Sequence, residues 1–301
     1  MNRFGMSVSK LFPANGSTHN SNNSFKYKIS CQEKINPDHP ETRDWLELLS
    51  KLEHDSPTVK LYKGLMEKSK SVVAKVGRLS LKHEFEIGSA LSELHLPTFL
   101  GFHCNFQCLD DFHQMNAASK FLCKERGEGI HVLIMPYVDG QRIDEHKWTR
   151  EQFPRLKNIL KHITLSLLYA SLKLQFIHGD LHLGNVMIKK TTRKKISYEE
   201  LGDLELMGYL PIIMDYDRAS VSSGFEAVYK DIKRFISLSE NYLDIQLDPL
   251  QVGQLSRMLL SFHYEKKDVR LTFKDICSQI DRFEVLRIKS EKPSPINFTR
   301  L

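Results

Sequence analysis

The two halves of the chain carry different hydrophobic rhythms. In the front half the apolar positions fall in short extended runs, TVKLY at 58–62, SVVAKVG at 71–77, PTFLGFH at 97–103 and IHVLIMPYV at 130–138, and these predict strands. Residues 80–95, between the second and third runs, predict a helix. A further helix is predicted over 41–53, where Trp45, Leu48, Leu49 and Leu52 recur at helical spacing behind a Pro-Glu-Thr start. After the turn-like pair Asp139-Gly140 the rhythm becomes helical. Residues 151–176 set Phe153, Leu156, Leu160, Ile163, Leu167 and Ala170 on one stripe, and Ile159 and Leu168 widen it enough for a buried helix. Two short strands around 185–188 and 211–216 follow, then helices over about 224–245, 248–263 and 271–287. A strand-rich front joined to a helix-rich back is an α+β layout with a cleft expected between its parts.

Residues 13–24, PANGSTHNSNNS, offer almost nothing to bury, so residues 1–25 are expected to be a flexible tail. The front unit then spans 26–137, with an insertion over about 105–129 whose pattern is unreadable, and the back unit spans 138–301, with a long hairpin over about 189–210. No repeat is visible.

Composition changes this picture little. The 301 residues are 41% hydrophobic and 27% charged, ordinary for a globular chain, and the net charge of +6 is modest. The densest basic run, Lys189 to Lys195, reads as a solvated hairpin tip, which leaves nucleic-acid binding unsupported. No stretch approaches the roughly 20 apolar residues of a membrane span and no secretion signal opens the chain, so no membrane partner and a cytoplasmic location are expected. The five cysteines, Cys31, Cys104, Cys108, Cys123 and Cys277, make no CxxC pair and are expected to be reduced structural thiols.

The chemistry concentrates in FIHGDLHLGNVMI, 176–188, where a long amphipathic helix ends, a polar loop follows and an apolar strand begins. His178, Asp180 and Asn185 stand there in the spacing H-x-D-x-x-x-x-N. One tight loop thus offers a carboxylate for a hydroxyl and, five residues later, an amide for a metal ion. A second apolar strand delivers Asp215 in MDYD. Upstream, Lys75 lies on a predicted strand, and the next helix supplies two candidate partners for it, Glu84 and Glu86. Glu84 is favoured because Ile87 and Leu91 then extend along an adjoining face toward the sheet. Other histidines, such as His83, His95 and His162, read as surface or satisfied core residues.

From about Val72 to Asp231 the order of these residues resembles the protein-kinase-like superfamily. The HGDLHLGN loop is similar to those of divergent serine/threonine kinases of large DNA viruses and of aminoglycoside and choline-type phosphotransferases. The resemblance implies a two-lobed kinase fold, ATP and Mg²⁺ as cofactors, and transfer of the γ-phosphoryl group to a hydroxyl, with a protein serine or threonine favoured as acceptor. A small-molecule kinase and a pseudokinase scaffold are the alternatives, and the cytoplasm would be the host's for a viral chain. By the same resemblance Asp180 would accept the hydroxyl proton and His178 would buttress the loop and the Tyr216 ring. His182 would replace the lysine that steadies the transferred phosphate, acting fully only when protonated. Asn185 and Asp215 would hold Mg²⁺, and Lys75, clamped by Glu84, would hold the phosphates. Met135 stands in the gatekeeper place and Pro136-Tyr137-Val138 in the hinge, with Val73 and Met187 completing the nucleotide-binding set. Asp231 would brace the catalytic loop from a helix.

The departures are equally plain. No glycine-rich loop precedes Lys75, Gly179 replaces an arginine, Asp217 stands where the metal motif has glycine and offers a second carboxylate, and the link from Asp217 to Asp231 has no room for a peptide-docking segment.

Overall fold

The computed structural model describes residues 45–52, 59–77, 80–108, 115–124, 130–199, 202–221, 225–242, 245–265 and 269–288. The expected tail lies outside these. Five antiparallel strands, β1 (Leu46–Leu52), β2 (Lys60–Met66), β3 (Lys70–Gly77), β4 (Cys104–Gln107) and β5 (His131–Pro136), form a sheet in the order β1-β2-β3-β5-β4. Helix α1 (Ser80–Ser92) leaves β3 almost at once, and a short helix, α2 (Ala117–Leu122), follows β4.

Alternation along the strands divides the sheet between two cores. Val72, Ala74 and Val76 of β3 pack with Phe106, Val132, Ile134 and Leu122 on one face. Leu133 and Met135, with Val73 against them, pack on the other with Ile87 and Leu91 of α1 and with the helical remainder of the molecule. Lys75 lies between Ala74 and Val76, and alternation therefore sends it to the α1 side, in register with Leu133.

The back half is built on α3 (Phe153–Leu174), a buried helix that carries Pro154 in its first turn, where no N–H is needed, and ends on Gln175 at φ 57°. Strand β6 (Gln141–Arg142) precedes it and β7 (Phe176–Ile177) follows. Strand β8 (Val186–Lys190) pairs with β6 and with β11 (Tyr209–Ile213), while β9 (Lys195–Ser197) and β10 (Asp203–Glu205) extend the long hairpin between β8 and β11. Then come β12 (Ser220–Val221), α4 (Phe225–Tyr242), β13 (Ile245–Leu247), α5 (Pro249–Glu265), α6 (Val269–Asp281) and β14 (Val285–Ile288). The layout is α+β. No described helix is long and apolar enough to cross a membrane.

Several expectations need correction. The helix expected over 41–53 is, where described, the edge strand β1, paired with β2 through a bulge between Leu48 and Ser50. Apolar residues at i, i+3 and i+4, here Trp45, Leu48 and Leu49, also fit a bulged strand, and the open edge of β2 supplies hydrogen-bond partners that outweigh local helix preference. The run 97–103 is no strand. Leu100 N–H donates to Ile213 O at 2.9 Å and Ile213 N–H to Thr98 O at 2.7 Å, a clip that ties this loop to β11, and the strand starts only at Cys104. Residues 245 and 285–287, assigned to helix ends, belong instead to the β13–β14 pair.

The cysteines differ as well. Cys108 and Cys123 are joined in a disulfide, because α2 folds back onto the end of β4 and brings their Cα atoms to 5.7 Å. Cys104 is also disulfide-bonded. Cys277 is a free thiol, its pKa pushed up to about 11 by burial.

Candidate active site

Two carboxylates meet at Lys75, one nine residues along the chain and the other 140 residues along it. Its Nζ lies 2.8 Å from Glu84 Oε2 and 2.6 Å from Asp215 Oδ1. Glu84 reaches it from the first turns of α1, one helix turn before Ile87, which anchors that helix on the sheet. Burial works against the ammonium, but the two carboxylates outweigh it and hold the Lys75 pKa above its usual value. Burial raises Glu84 as well, and Lys75 and the Tyr216 backbone N–H offset part of that rise.

Asp215 follows the last residues of β11 at φ 67°, a left-handed conformation that costs a non-glycine residue of order 1 kcal/mol and persists only when its surroundings impose it. The imposing contacts are visible. Met214 N–H donates to Asn185 O at 3.0 Å, and the Tyr216 hydroxyl donates to Ile213 O at 2.7 Å and Leu100 O at 3.2 Å. The Tyr216 ring packs edge-on against His178 and Phe102, with centroids 6.0 and 5.7 Å away. Phe102 in turn fills the space beside Gly88 of α1, where a Cβ would come within 2.0 Å of the ring. An aromatic column thus runs from α1 through Tyr216 to the loop that carries Asp180.

That loop is held from two sides. The Asp231 carboxylate, on α4, accepts the backbone N–H groups of His178 at 2.8 Å and Gly179 at 3.2 Å. His178 Nε2 donates to Met214 O at 3.1 Å, and its Nδ1 has no partner among the described residues. Burial lowers the His178 pKa despite the nearby Asp231, which keeps the ring neutral. Asn185 Nδ2 donates to Asp180 O at 3.1 Å, so the amide oxygen is the atom left for a cation.

The Nδ1 of His182 accepts the Gly184 N–H at 3.1 Å, which leaves Nε2 as the ring's N–H donor. Asp217 is exposed, and among the described residues no group of three or more His, Cys, Asp or Glu could hold a metal ion. The first hinge residues end β5 in register with β3: Met135 is opposite Val73 and Pro136 opposite Val72. The Tyr137 N–H donates to Ser71 O at 2.9 Å and the Tyr137 ring lies 3.9 Å under Lys63 Nζ. Val138 packs against the larger core and Met187 is half-buried on β8. The sequence reading missed Arg218 and Arg234, which both reach Asp180; no motif marks them.

A family profile described as the ABC1 atypical kinase-like domain matches residues 127–216, a span that holds the hinge, the 178–185 loop and Asp215. The chain is 36% identical to the serine/threonine-protein kinase haspin of Bos taurus over 126 residues, covering 41% of this chain and 16% of that protein. Haspin of Mus musculus is 38% identical over 106 residues, 34% of this chain and 14% of that protein. An uncharacterized protein of Invertebrate iridescent virus 3 is 28% identical over 160 residues, 45% of this chain and 28% of its own length. The chain therefore spans between 14% and 28% of the length of these relatives. Together with the order of Lys75, Glu84, Asp180, Asn185 and Asp215 along the sequence, these matches support a likeness of the chain to the protein-kinase-like superfamily.

Proposed function

We propose that the chain is an ATP-dependent phosphotransferase in which the five-stranded sheet with α1 forms one lobe, the helical remainder forms the other, and the nucleotide sits between them. The observation that carries the proposal is the convergence on Lys75 of Glu84 and Asp215, the latter 140 residues away in sequence. A buried lysine clamped by one carboxylate and facing a second suits a group that must grip phosphates beside a metal.

In this reading Lys75 holds the α- and β-phosphates, and Val73, Met135, Pro136, Val138 and Met187 enclose the base. Asn185 and Asp215 would hold Mg²⁺. The fit is chemical, since both present hard oxygen donors and Mg²⁺ sites use one or two carboxylates completed by substrate phosphates and water. Held there, the ion would supply neutralisation of phosphate charge. Asp180 orients the acceptor hydroxyl and takes its proton, and His182 offers its Nε2–H to the transferring group. Positioning and charge neutralisation carry most of such a reaction.

A protein serine or threonine is the favoured acceptor, supported by the similarity to serine/threonine-protein kinases. The short connection between Tyr216 and α4 favours a second reading, a small-molecule hydroxyl acceptor. The experiment is transfer from γ-labelled ATP with Mg²⁺ to a panel of protein, sugar and amine-alcohol acceptors, run beside a thermal-shift titration of nucleotide. Label on a protein acceptor supports the first reading and label on a small molecule the second. No transfer and no nucleotide-dependent stabilisation, where a control kinase shows both, would overturn the proposal.

A further inference from the structure

Each oxygen of the Asp180 carboxylate faces a guanidinium. Arg234 Nη1 lies 3.2 Å from Oδ1 and Arg218 Nη1 lies 3.7 Å from Oδ2. Both arginines are open to solvent, with side chains 53% and 69% exposed against 20% for Asp180. A guanidinium carries five N–H donors in a rigid fork, and each of these two stands against Asp180 as an ion pair. Donors therefore remain on the solvent side of the carboxylate.

The framework fixes the backbone from which both cations project. Arg218 lies in a turn closed by the Ala219 N–H on Tyr216 O at 3.1 Å, and His83 Nε2 bonds Ala219 O at 2.7 Å. Strand β12 then pairs with β7, just before the Asp180 loop. Gly179, at φ 76°, allows the close approach, since a Cβ there would come within 2.4 Å of Arg218 O. Arg234 stands one turn beyond Asp231, the residue that ties the loop to α4. Lys230 and Lys233 lie on the same exposed stretch of helix. Two cations thus face the single carboxylate of Asp180.

We infer that Arg218 and Arg234 form the recognition site for carboxylates of an acidic peptide segment, placed beside the hydroxyl that Asp180 addresses. The inference rests on the reading of Asp180 as the group that meets the acceptor. Guanidinium forks bind carboxylates through paired charge-assisted hydrogen bonds, which fix orientation as well as sign. The nucleotide's phosphates are served by Lys75, Asn185 and Asp215, whereas these two arginines pair with Asp180. They are specificity-determining residues in this reading.

The test uses three labelled serine peptides of equal length, flanked by Asp/Glu, by Gln/Ala or by Lys. Binding is followed by fluorescence anisotropy and transfer by γ-labelled ATP, on wild type, Arg218→Gln, Arg234→Gln and the two Arg→Lys variants. Wild type binds the acidic peptide at least about tenfold more tightly than the Lys peptide, and the ratio shrinks as salt rises. Each glutamine variant loses several-fold of that ratio through KM, the lysine variants keep most of it, and nucleotide titrations coincide throughout. Equal affinity for the three peptides overturns the inference. So does a glutamine variant that weakens nucleotide binding and treats all peptides alike, which would assign the guanidiniums to the nucleotide. Arginine-dependent peptide selectivity without any transfer sinks the phosphotransferase reading and leaves only carboxylate binding by the two arginines; transfer without selectivity sinks the carboxylate site and leaves the phosphotransferase reading.

Discussion

Glu84 closes a bridge between parts of the protein that are far apart in sequence: its Oε2 lies 2.8 Å from Lys75 Nζ, and the backbone N–H of Tyr216, next to Asp215, stands close enough to hold the Glu84 pKa down against burial. One side chain therefore sets the position of α1 against both β3 and the end of β11. Breaking a buried ion pair from one side leaves an uncompensated charge and costs about 3–5 kcal/mol. Lys75→Met leaves two carboxylates facing each other and is expected to lose about that much stability. Adding Glu84→Gln to it recovers part of the loss. Chemical denaturation of the two variants checks the order. A double variant less stable than Lys75→Met would refute this account of the charge balance.

Asp180 and Asp215 are expected to fail differently when neutralised. Asp180→Asn retains Mg²⁺-dependent ATP binding and loses turnover, because the carboxylate addresses the acceptor. Asp215→Asn weakens metal-dependent nucleotide binding as well, because an amide lacks the charge of a good Mg²⁺ ligand. Both lose on the order of a hundredfold in kcat, about 2.7 kcal/mol. Nucleotide titration and single-turnover transfer separate the two, with circular dichroism as the fold control. Wild-type turnover in folded Asp180→Asn would remove Asp180 from the mechanism.

The acid limb of stability is expected to carry the mark of His162. Burial lowers its pKa from 6.5 to about 4, with the Glu205 carbonyl only partly offsetting this. The ring bonds Tyr198 Oη at 3.0 Å and Glu205 O at 2.9 Å. Between those two pKa values the unfolded chain binds a proton that the folded chain does not, so stability falls as pH falls. The slope is about 1.4 kcal/mol per pH unit, for a total near 3 kcal/mol. Urea midpoints from pH 7 to pH 4.5 measure it. The slope in His162→Gln, whatever its absolute stability, should be shallower by close to one proton, and an unchanged slope would rule His162 out.

Gly179→Ala tests the contact between the Asp180 loop and the 217–219 turn. The substitution meets Arg218 O at 2.4 Å and a φ of 76°. It should cost more than about 1 kcal/mol and should lower transfer more than nucleotide binding, since the disturbed loop carries Asp180. Ala at Gly202, which also has a positive φ but nothing within 4 Å, is the control that isolates the steric contact. Equal losses at the two glycines would leave only backbone preference as the cause.

The sequence by itself determined what is periodic or contiguous. Strands β3 and β5, helix α3 and the 178–185 loop were legible because alternation, the 3.6-residue stripe and the H-x-D-x-x-x-x-N spacing are local properties. The order of Lys75, Glu84, Asp180, Asn185 and Asp215 carried the likeness to the superfamily. What failed depended on partners remote in sequence. Leu46–Leu52 chose a strand because β2 offered an open edge, and Cys108 and Cys123 met because α2 folded back onto β4. Arg218 and Arg234 acquired meaning only when a glycine let one turn press against another and a helix presented its next turn. A hydrogen bond or ion pair forms between groups a few ångströms apart in space. Residues 180 and 234, or 75 and 215, reach that distance only after the intervening elements have packed, so no local pattern in the chain records them.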